Sequence, residues 1–187
     1  MRFKEKVVLV TGASRGIGRA IALGFGREGA NVIVNYTNSG KKADEVAAEI
    51  KKFGSDAIAI KCDVSDEGQV KKMIDLAIKK FGRLDILVNN AGIVFDVPFS
   101  ERTVEQWKRT LDVDLLGVFL CCKYAIPQMK KQKSGKIINI SSTNGLDQGG
   151  SYSIDYNAAK AGVINMTRSF AHSLGQYNIR VNCVAPG

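Results

Sequence analysis

Short apolar runs alternate along the chain with longer segments in which apolar residues recur every three or four positions. The first run, residues 7–10, is apolar throughout, which is typical of a strand buried on both faces of a sheet. After a glycine-rich turn, Ile17, Ile21 and Phe25 fall on one side of a predicted helix. The repeating unit that this pattern predicts is therefore a strand followed by an amphipathic helix.

The same unit recurs to the end of the sequence. Further strands are predicted at residues 31–35, 57–61, 84–88, 136–140 and 179–184. Further helices are predicted at residues 41–53, 65–81, 101–130 and 154–175. We expect Ser65 to cap the third helix, Gly54 to end the second, and Pro127 to bend the fourth. The alternation predicts an α/β fold, a doubly wound parallel sheet (Rossmann-like) whose six strands run in the order 3-2-1-4-5-6.

Composition places the chain among ordinary globular domains. It has 187 residues, of which 45% are hydrophobic and 24% charged, so we expect a single domain over residues 1–187. No apolar run is long enough to cross a membrane and the first residues lack a signal-peptide core, which predicts a cytoplasmic protein without a membrane partner. The four cysteines have no CxxC spacing, so we expect buried reduced thiols and no metal site.

The formal net charge of +9 has two interpretations. A basic protein could bind nucleic acid, but the Lys and Arg residues are scattered over predicted helix surfaces without interleaved aromatic residues. The charge suits an anionic cofactor or an acidic protein partner equally well. We therefore expect no nucleic-acid partner.

The turn TGASRGIG, residues 11–18, is the first candidate for a binding site because it lies between a strand and a helix. Gly12 would allow a sharp turn, Gly16 would let the backbone approach a diphosphate, and Gly18 would let helix and strand pack closely. The helix N-terminus adds free N–H donors and a partial positive charge. The spacing is GxxxGxG rather than GxGxxG, and glycines also serve as ordinary turn and packing residues.

In a doubly wound sheet the ligand lies beyond the carboxyl ends of the strands, so the residues after each strand are informative. No Asp or Glu follows the second strand, where a carboxylate would bind a ribose 2′-hydroxyl, and Arg15 stands in the glycine turn instead. Arg15 would pair with a 2′-phosphate, which favours NADP(H) over NAD(H). The alternative is that Arg15 is a solvated loop charge. Asp63 and the pair Asn89-Asn90 follow later strands, where each could also be a plain turn residue.

Tyr156 and Lys160 are four residues apart on a predicted helix and therefore share one face. A neighbouring ammonium stabilises a phenolate, so Tyr156 could donate and accept a proton, and Ser142 could donate a hydrogen bond to a carbonyl oxygen. This is the machinery of carbonyl reduction. Such a pair is also common on ordinary helix surfaces. His172, the one histidine, lies too far along the helix to join it.

These motifs together resemble the short-chain dehydrogenase/reductase family over the whole chain. The resemblance rests on TGASRGIG, on Cys62-Asp63-Val64, on NNAG at 89–92, on Ser142, on YNAAK at 156–160 and on NIRVNCVAPG at 178–187. It implies that Tyr156 is the acid/base, that Lys160 holds the nicotinamide ribose and stabilises the phenolate, that Ser142 polarises the substrate carbonyl, and that Asp63 contacts adenine. The NADP(H) contacts expected from the turn and the resemblance are Gly12, Ser14, Arg15, Gly16, Ile17, Gly18, Asn35, Asp63, Val64, Asn90, Ala91, Gly92, Tyr156, Lys160, Pro186 and Gly187.

Within this family the chain is most similar to the reductases of 3-oxoacyl groups carried by an acyl carrier protein. The features behind this are the Val-Asn-Tyr segment at 34–36 and a basic chain suited to an acidic carrier. The substrate is thus expected to be a small-molecule or carrier-bound ketone. Sugar dehydrogenases of the glucose 1-dehydrogenase kind share most of the features, and a non-catalytic NADP(H)-binding protein is a further alternative. The resemblance also implies a homo-oligomer, a tetramer or dimer, with Phe119 and Phe170 as candidate contacts.

The sequence departs from the family pattern in two places. Asp114 stands where the family usually has the Asn of the catalytic set, and an ionised acid accepts hydrogen bonds but does not donate them. The sequence ends at Pro186-Gly187, where the family continues through a nicotinamide loop, a substrate lid and a last strand. We therefore expect a domain that is truncated at its C-terminus.

Overall fold

A computed structural model of the protein describes residues 1–147 and 152–187. Within these residues the strands are β1 (Val7–Val10), β2 (Asn31–Tyr36), β3 (Ala57–Lys61), β4 (Ile86–Asn89), β5 (Gly135–Ile140) and β6 (Ile179–Val184). The helices are α1 (Gly16–Arg27), α2 (Gly40–Lys52), α3 (Glu67–Phe81), α4 (Val104–Leu111), α5 (Gly117–Gln132) and α6 (Ile154–Leu174). The strands form one parallel sheet in the order β3-β2-β1-β4-β5-β6, which confirms the predicted architecture.

Helices cover both faces of the sheet. On one face Val8, Val32 and Val34 pack with residues of α1 and α2 such as Ala22 and Ile50. On the other face alternate strand residues, beginning with Val7, Leu9 and Ile33, pack with residues of α3, α5 and α6. Strands that are apolar on both faces are what this arrangement requires. Within the described residues, no helix is long and apolar enough to cross a membrane.

The helices differ most from the prediction at the start of α3 and over residues 101–130. Asp66, rather than Ser65, caps α3, and its Oδ1 accepts the Gln69 N–H at 2.9 Å. The predicted helix 101–130 consists of α4, a π-helical turn at Asp112–Leu116, and α5. Pro127 lies inside α5, so the change in helical hydrogen bonding occurs well before the proline. A Thr103–Gln106 capping box begins α4.

The cysteines are free thiols. Cys62, Cys121 and Cys122 are buried as expected, whereas Cys183 is only half-buried. Burial raises the pKa of Cys62 and of Cys122 to about 12, so neither thiol has appreciable thiolate character at neutral pH.

Asp85 links three strands immediately before β4. Its backbone N–H donates to Val7 O and its carbonyl accepts from the Lys136 N–H, while its buried carboxylate accepts the Val7 N–H at 2.9 Å. Arg83 donates to both oxygens of the same carboxylate, at 2.7 and 2.6 Å. Burial alone would raise the pKa of Asp85, but these hydrogen bonds and the charge of Arg83 hold it below its ordinary value. Asp85 therefore fixes the start of β1 against β4 and β5.

We predict that Asp85→Ala lowers the free energy of unfolding by about 2–4 kcal/mol at pH 7, because the buried Val7 N–H loses its side-chain acceptor and Arg83 its partner. Asp85→Asn keeps one acceptor and should cost less. Because the pKa is lowered in the folded state, the charge-dependent stability is present above the unfolded pKa and is lost as the pH falls through the folded value. Chemical denaturation at pH 7 and below pH about 4 measures this, and the gap between wild type and the Asn variant should narrow at the lower pH.

The matched control is Asp75→Ala, which removes an exposed pair with Lys71 and should cost less than about 0.5 kcal/mol. Equal losses for Asp85→Ala and Asp75→Ala would contradict a linking role for Asp85.

Candidate functional site

The glycine turn between β1 and α1 lies against the segment that follows β4. Gly12 and Gly16 have φ values of +62° and +57°, a conformation that side chains disfavour. A Cβ at Gly12 would lie 2.9 Å from Ala91 Cα, and one at Gly18 would collide with the Asn90 amide and Gly12 O. The sequence predicted that Gly18 lets the helix pack closely against the strand. In the structure Gly18 instead lets α1 approach the glycine turn and the segment that follows β4.

Three polar side chains hold this turn in place. Asn90 Nδ2 donates to Thr11 O at 2.8 Å, and Thr11 Oγ1 accepts the N–H groups of Asn90 and Ala91, each at 2.9 Å. Asn35 Oδ1 accepts the Gly12 N–H at 3.0 Å. Asn35 was expected to contact the cofactor, but its side chain is buried beneath the turn. In the structure Asn35 positions the turn, and Thr11 is a supporting residue that the sequence did not single out.

A cavity of about 510 Å³ extends from the glycine turn across the ends of the neighbouring strands. Its lining residues are Gly12, Ser14, Arg15, Gly16, Ile17, Gly18, Tyr36, Thr37, Asn38, Ser39, Asp63, Val64, Asn90, Ala91, Gly92, Ile93, Arg109 and Val113. The Arg15 side chain does not cap the first turn of α1, and Gly16, Ile17 and Gly18 line this space, so the first N–H groups of the helix are available as hydrogen-bond donors to a phosphate.

The lining bears on which anion the cavity could hold. No residue from 36 to 39 is acidic, and the exposed Arg15 guanidinium has no ion pair within the described residues. A helix N-terminus, glycines that allow close backbone approach and an available guanidinium together fit a phosphorylated nucleotide.

Asp63 lines this cavity and is held in one orientation. The Ser65 hydroxyl donates to Asp63 Oδ1 at 2.7 Å, and Arg109 Nη2 donates to Oδ2 at 2.7 Å. Burial alone would raise the pKa of Asp63, but the hydrogen bonds from Ser65 and Arg109 outweigh it and hold this pKa below its ordinary value. Arg109 is a cavity residue that sequence reasoning missed, because it looks like any other basic residue on a predicted helix.

A second cavity of about 280 Å³ adjoins the first and shares Ile17, Asn90, Gly92 and Ile93 with it. The remaining lining residues are Val94, Ile140, Ser141, Ser142, Tyr156, Lys160, Pro186 and Gly187. The fold therefore brings together Ser142, Tyr156 and Lys160, as the sequence predicted, and places them beside the end of β6. Ile93 and Val94 are lining residues without a sequence signal.

Lys160 lies between Tyr156 and Asp114. Its Nζ is 5.3 Å from the centre of the Tyr156 ring and 3.4 Å from Asp114 Oδ2, and it donates to Ile140 O at 3.2 Å. Both partners of this ion pair are buried. Gly92 allows the approach, since a Cβ there would be 3.0 Å from Asp114 Oδ2 and 3.3 Å from Lys160 Nζ.

Asp114 also anchors the chain after β4, because its Oδ1 accepts the Ile93 N–H at 2.8 Å. Burial raises the pKa of the Asp114 carboxyl above its ordinary value, although the charge of Lys160 and the Ile93 N–H oppose the shift. The carboxylate stands behind the lysine, outside the lining of both cavities.

Ser142 follows β5 and is half-buried at the wall of the second cavity. Its Oγ accepts the Asn144 N–H at 3.2 Å, so the hydroxyl keeps its own proton for a further hydrogen bond. His172 is exposed near the end of α6 and lines neither cavity. The groups available for chemistry at this site are therefore a phenol, a hydroxyl and an ammonium, and all three line the second cavity.

Comparison with known proteins agrees with this geometry. The family model for short chain dehydrogenases matches residues 6–187. A 3-oxoacyl-[acyl-carrier-protein] reductase FabG of Staphylococcus aureus is 50% identical over 182 residues, which are 97% of this chain and 74% of that protein. A 3-oxoacyl-[acyl-carrier-protein] reductase of Synechocystis is 47% identical over 182 residues, again 97% of this chain and 73% of that protein.

A similar solved structure is a protein of Sinorhizobium meliloti provisionally described as a short-chain alcohol dehydrogenase. It superposes with a TM-score of 0.94 at 35% identity, over 98% of this chain and 72% of that one. The similarity therefore extends from sequence to backbone.

We predict that Gly12→Ala destabilises the protein by about 1–3 kcal/mol, because the new side chain requires positive φ and meets Ala91. Gly24→Ala is the matched control, since Gly24 lies inside α1 with nothing within 4 Å of an added Cβ. Helix propensity should make the control neutral or more stable by up to about 1 kcal/mol. Thermal unfolding of both variants measures this, and equal effects would contradict the close approach of the two turns.

Proposed function

Because the chain belongs to the short-chain dehydrogenase family, whose chemistry is oxidoreduction at CH–OH and C=O groups, we propose that it is an NADPH-dependent reductase of 3-oxoacyl groups carried by an acyl carrier protein. The single observation that carries the proposal is the continuity of the two cavities, one walled by the glycine turn and the other by Ser142, Tyr156 and Lys160. A dinucleotide long enough to reach from Asp63 to Tyr156 would occupy both.

In this proposal the protein holds the cofactor at three places. The first turn of α1 and the glycine turn bind the diphosphate, Arg15 pairs with the 2′-phosphate, and Asp63 contacts the adenine end. Lys160, with Pro186 and Gly187, lies at the nicotinamide end. When bound, the cofactor supplies the hydride.

The protein supplies the proton and stabilises the developing charge. Ser142 donates a hydrogen bond to the substrate carbonyl oxygen, and Tyr156 transfers its phenolic proton to the same oxygen. Lys160 stabilises the resulting phenolate from 5.3 Å, measured from its Nζ to the ring centre. Ser142 and Tyr156 line the same cavity, so a carbonyl bound there lies near both side chains.

Asp114 acts through Lys160 rather than on the substrate. Its carboxylate lies 3.4 Å from the buried Lys160 ammonium and offers it a counter-charge. An ionised carboxylate cannot donate a hydrogen bond, so any proton passing this position must travel through Lys160 or water.

Support for a carrier-bound substrate comes from the names of the relatives and from charge. The Staphylococcus and Synechocystis proteins are both named as reductases of acyl-carrier-protein substrates. The chain carries 27 Lys and Arg residues against 18 Asp and Glu, a balance that attracts an acidic carrier.

We also propose that the protein works in the cytoplasm as a homo-oligomer, a dimer or tetramer. Leu116 and Phe119, at and just after the π-helical turn, are 41% and 42% exposed, and buried apolar contact between subunits would cover them. Phe170 is a weaker candidate, because it packs against the core of its own chain.

Oxidation of NADPH, followed by its absorbance, tests the function with acetoacetyl thioesters on acyl carrier protein, coenzyme A and N-acetylcysteamine, and with glucose in the reverse direction. We predict turnover of the thioesters, fastest on the carrier protein. Tyr156→Phe should lower kcat by about 10²- to 10⁴-fold with little change in cofactor affinity, because the ring remains but the transferable proton is lost. Preferential glucose oxidation would favour a sugar dehydrogenase, and cofactor binding without turnover would favour a non-catalytic protein.

We predict that Arg15→Ala weakens NADPH binding by about tenfold or more and NADH binding by less than about threefold, because only the former loses a charge-assisted contact with the 2′-phosphate. Arg19→Ala is the matched control, since Arg19 lies on α1 but pairs with Glu49 at 2.7 Å. Fluorescence titration of both nucleotides measures the two affinities. Equal or tighter binding of NADH by the unmodified protein would contradict the assigned preference.

We predict that Asp114→Asn changes the pH profile of kcat more than it changes substrate KM. Because the pKa of Asp114 is raised, the carboxylate takes up a proton at a higher pH than an ordinary acid, and Lys160 then loses its counter-charge. The kcat of the wild type should therefore fall as the pH is lowered and Asp114 takes up its proton. The kcat of Asp114→Asn should not show this fall. The Asn amide still offers an acceptor for the Ile93 N–H, so the fold is retained. An unchanged rate and profile would remove any role for the carboxylate charge.

A further inference from the structure

Arg102 is a buried guanidinium outside both cavities. It lies between the 3₁₀ turn Phe99–Glu101 and α4, and its side chain is 3% exposed. Its Nη2 donates to Phe95 O at 2.7 Å and to Tyr152 O at 2.6 Å. The guanidinium also lies over the Phe95 ring, 5.7 Å from its centre. One side chain thus joins two segments that are far apart in sequence.

The counter-charge comes from the first turn of α6. Arg102 Nη1 is 3.6 Å from Asp155 Oδ2, and the Thr110 hydroxyl donates to the same oxygen at 2.7 Å. Asp155 and Thr110 are both buried. The three side chains therefore fasten the beginning of α6 to α4.

Each segment held by Arg102 continues into a wall of the second cavity. Ile93 and Val94 line that cavity and precede Phe95 directly. Tyr152 precedes α6, where Asp155 is followed by the cavity residue Tyr156. The guanidinium is thus one physical link between the wall that follows β4 and the wall that carries Tyr156, in addition to the contacts of Asp114 with Ile93 and Lys160.

Stability alone accounts poorly for this arrangement. Within the described residues, Arg102 Nε and Nη1 and Asp155 Oδ1 are buried without a hydrogen-bond partner. Buried charge pairs with such incomplete hydrogen bonding generally stabilise a fold no better than apolar side chains of similar size. What the guanidinium supplies, and an apolar side chain does not, is one nitrogen that holds the Phe95 and Tyr152 carbonyl groups together while the other faces Asp155.

We propose that Arg102 is a positioning residue that holds the 93–98 segment at a fixed distance from Tyr156 and so sets the fit of the substrate's acyl group. The inference rests on the proposed function for its substrate. Arg102 touches neither the reacting atoms nor the cofactor cavity, so its loss should weaken substrate binding and leave cofactor binding intact.

Steady-state kinetics with an acetoacetyl thioester test this on Arg102→Met and Arg102→Lys, with Arg168→Met as the matched control. Arg168 is exposed on α6 and has no ion pair within the described residues. For Arg102→Met we expect KM to rise about tenfold, kcat to fall less than about threefold and the Kd for NADPH to stay within about twofold. Arg102→Lys keeps the charge without the guanidinium and should give an intermediate KM.

An unchanged KM in the Met variant, or an equal loss of NADPH binding, would overturn the proposal. If the Met variant does not fold, the Lys variant decides, and a wild-type KM there would also overturn it. Amide hydrogen exchange adds a readout that needs no substrate, because residues 93–98 should exchange faster in either variant than in Arg168→Met. If the wild type reduces no thioester, the proposed function fails. The exchange experiment then still tests the structural link made by Arg102: faster exchange at residues 93–98 in the Arg102 variants supports the link, and unchanged exchange refutes it.

Discussion

The pairing of β1 with both β2 and β4 is the constraint on which the site depends. At this point the chain leaves β1 towards α1 on one face of the sheet and leaves β4 towards α4 on the other. The crevice between the two exits is where a doubly wound sheet binds its ligand. Gly12 and Gly18 let the two turns touch there, and the hydrogen bonds between Thr11 and Asn90 fix them.

The buried ion pair of Lys160 and Asp114 lies next to this crevice, beside the phenol of Tyr156. Lys160 and Asp114 are both removed from water, which costs free energy that their attraction only partly offsets. The same pair ties α6 to the π-helical turn and, through Ile93, to the chain after β4. The cost has a physical reason if Tyr156 must release and recover a proton, because an ammonium beside the phenol stabilises the phenolate.

The sequence was sufficient to predict the sheet and to select residues that the fold gathers around the two cavities. Uniformly apolar runs such as residues 7–10 identify strands covered on both faces, and the helices between them allow few topologies. Asp66 and Ser65 are neighbouring residues with similar capping ability, so pattern alone does not choose between them. The π-helical turn leaves the apolar periodicity nearly unchanged. The sequence does not show that Asn35 lies beneath the turn, because a residue at the end of a strand can point beneath the following turn as well as into the ligand space. Arg102 and Arg109 look like solvated charges until the fold brings carbonyl and carboxylate partners to them.

The most direct test is a crystal structure of the protein with NADPH. We predict continuous density through both cavities, with the adenine end at Asp63, the 2′-phosphate at Arg15 and the nicotinamide ring beside Tyr156 and Lys160. Density that enters only one cavity, or that places the nicotinamide away from Tyr156, would contradict it.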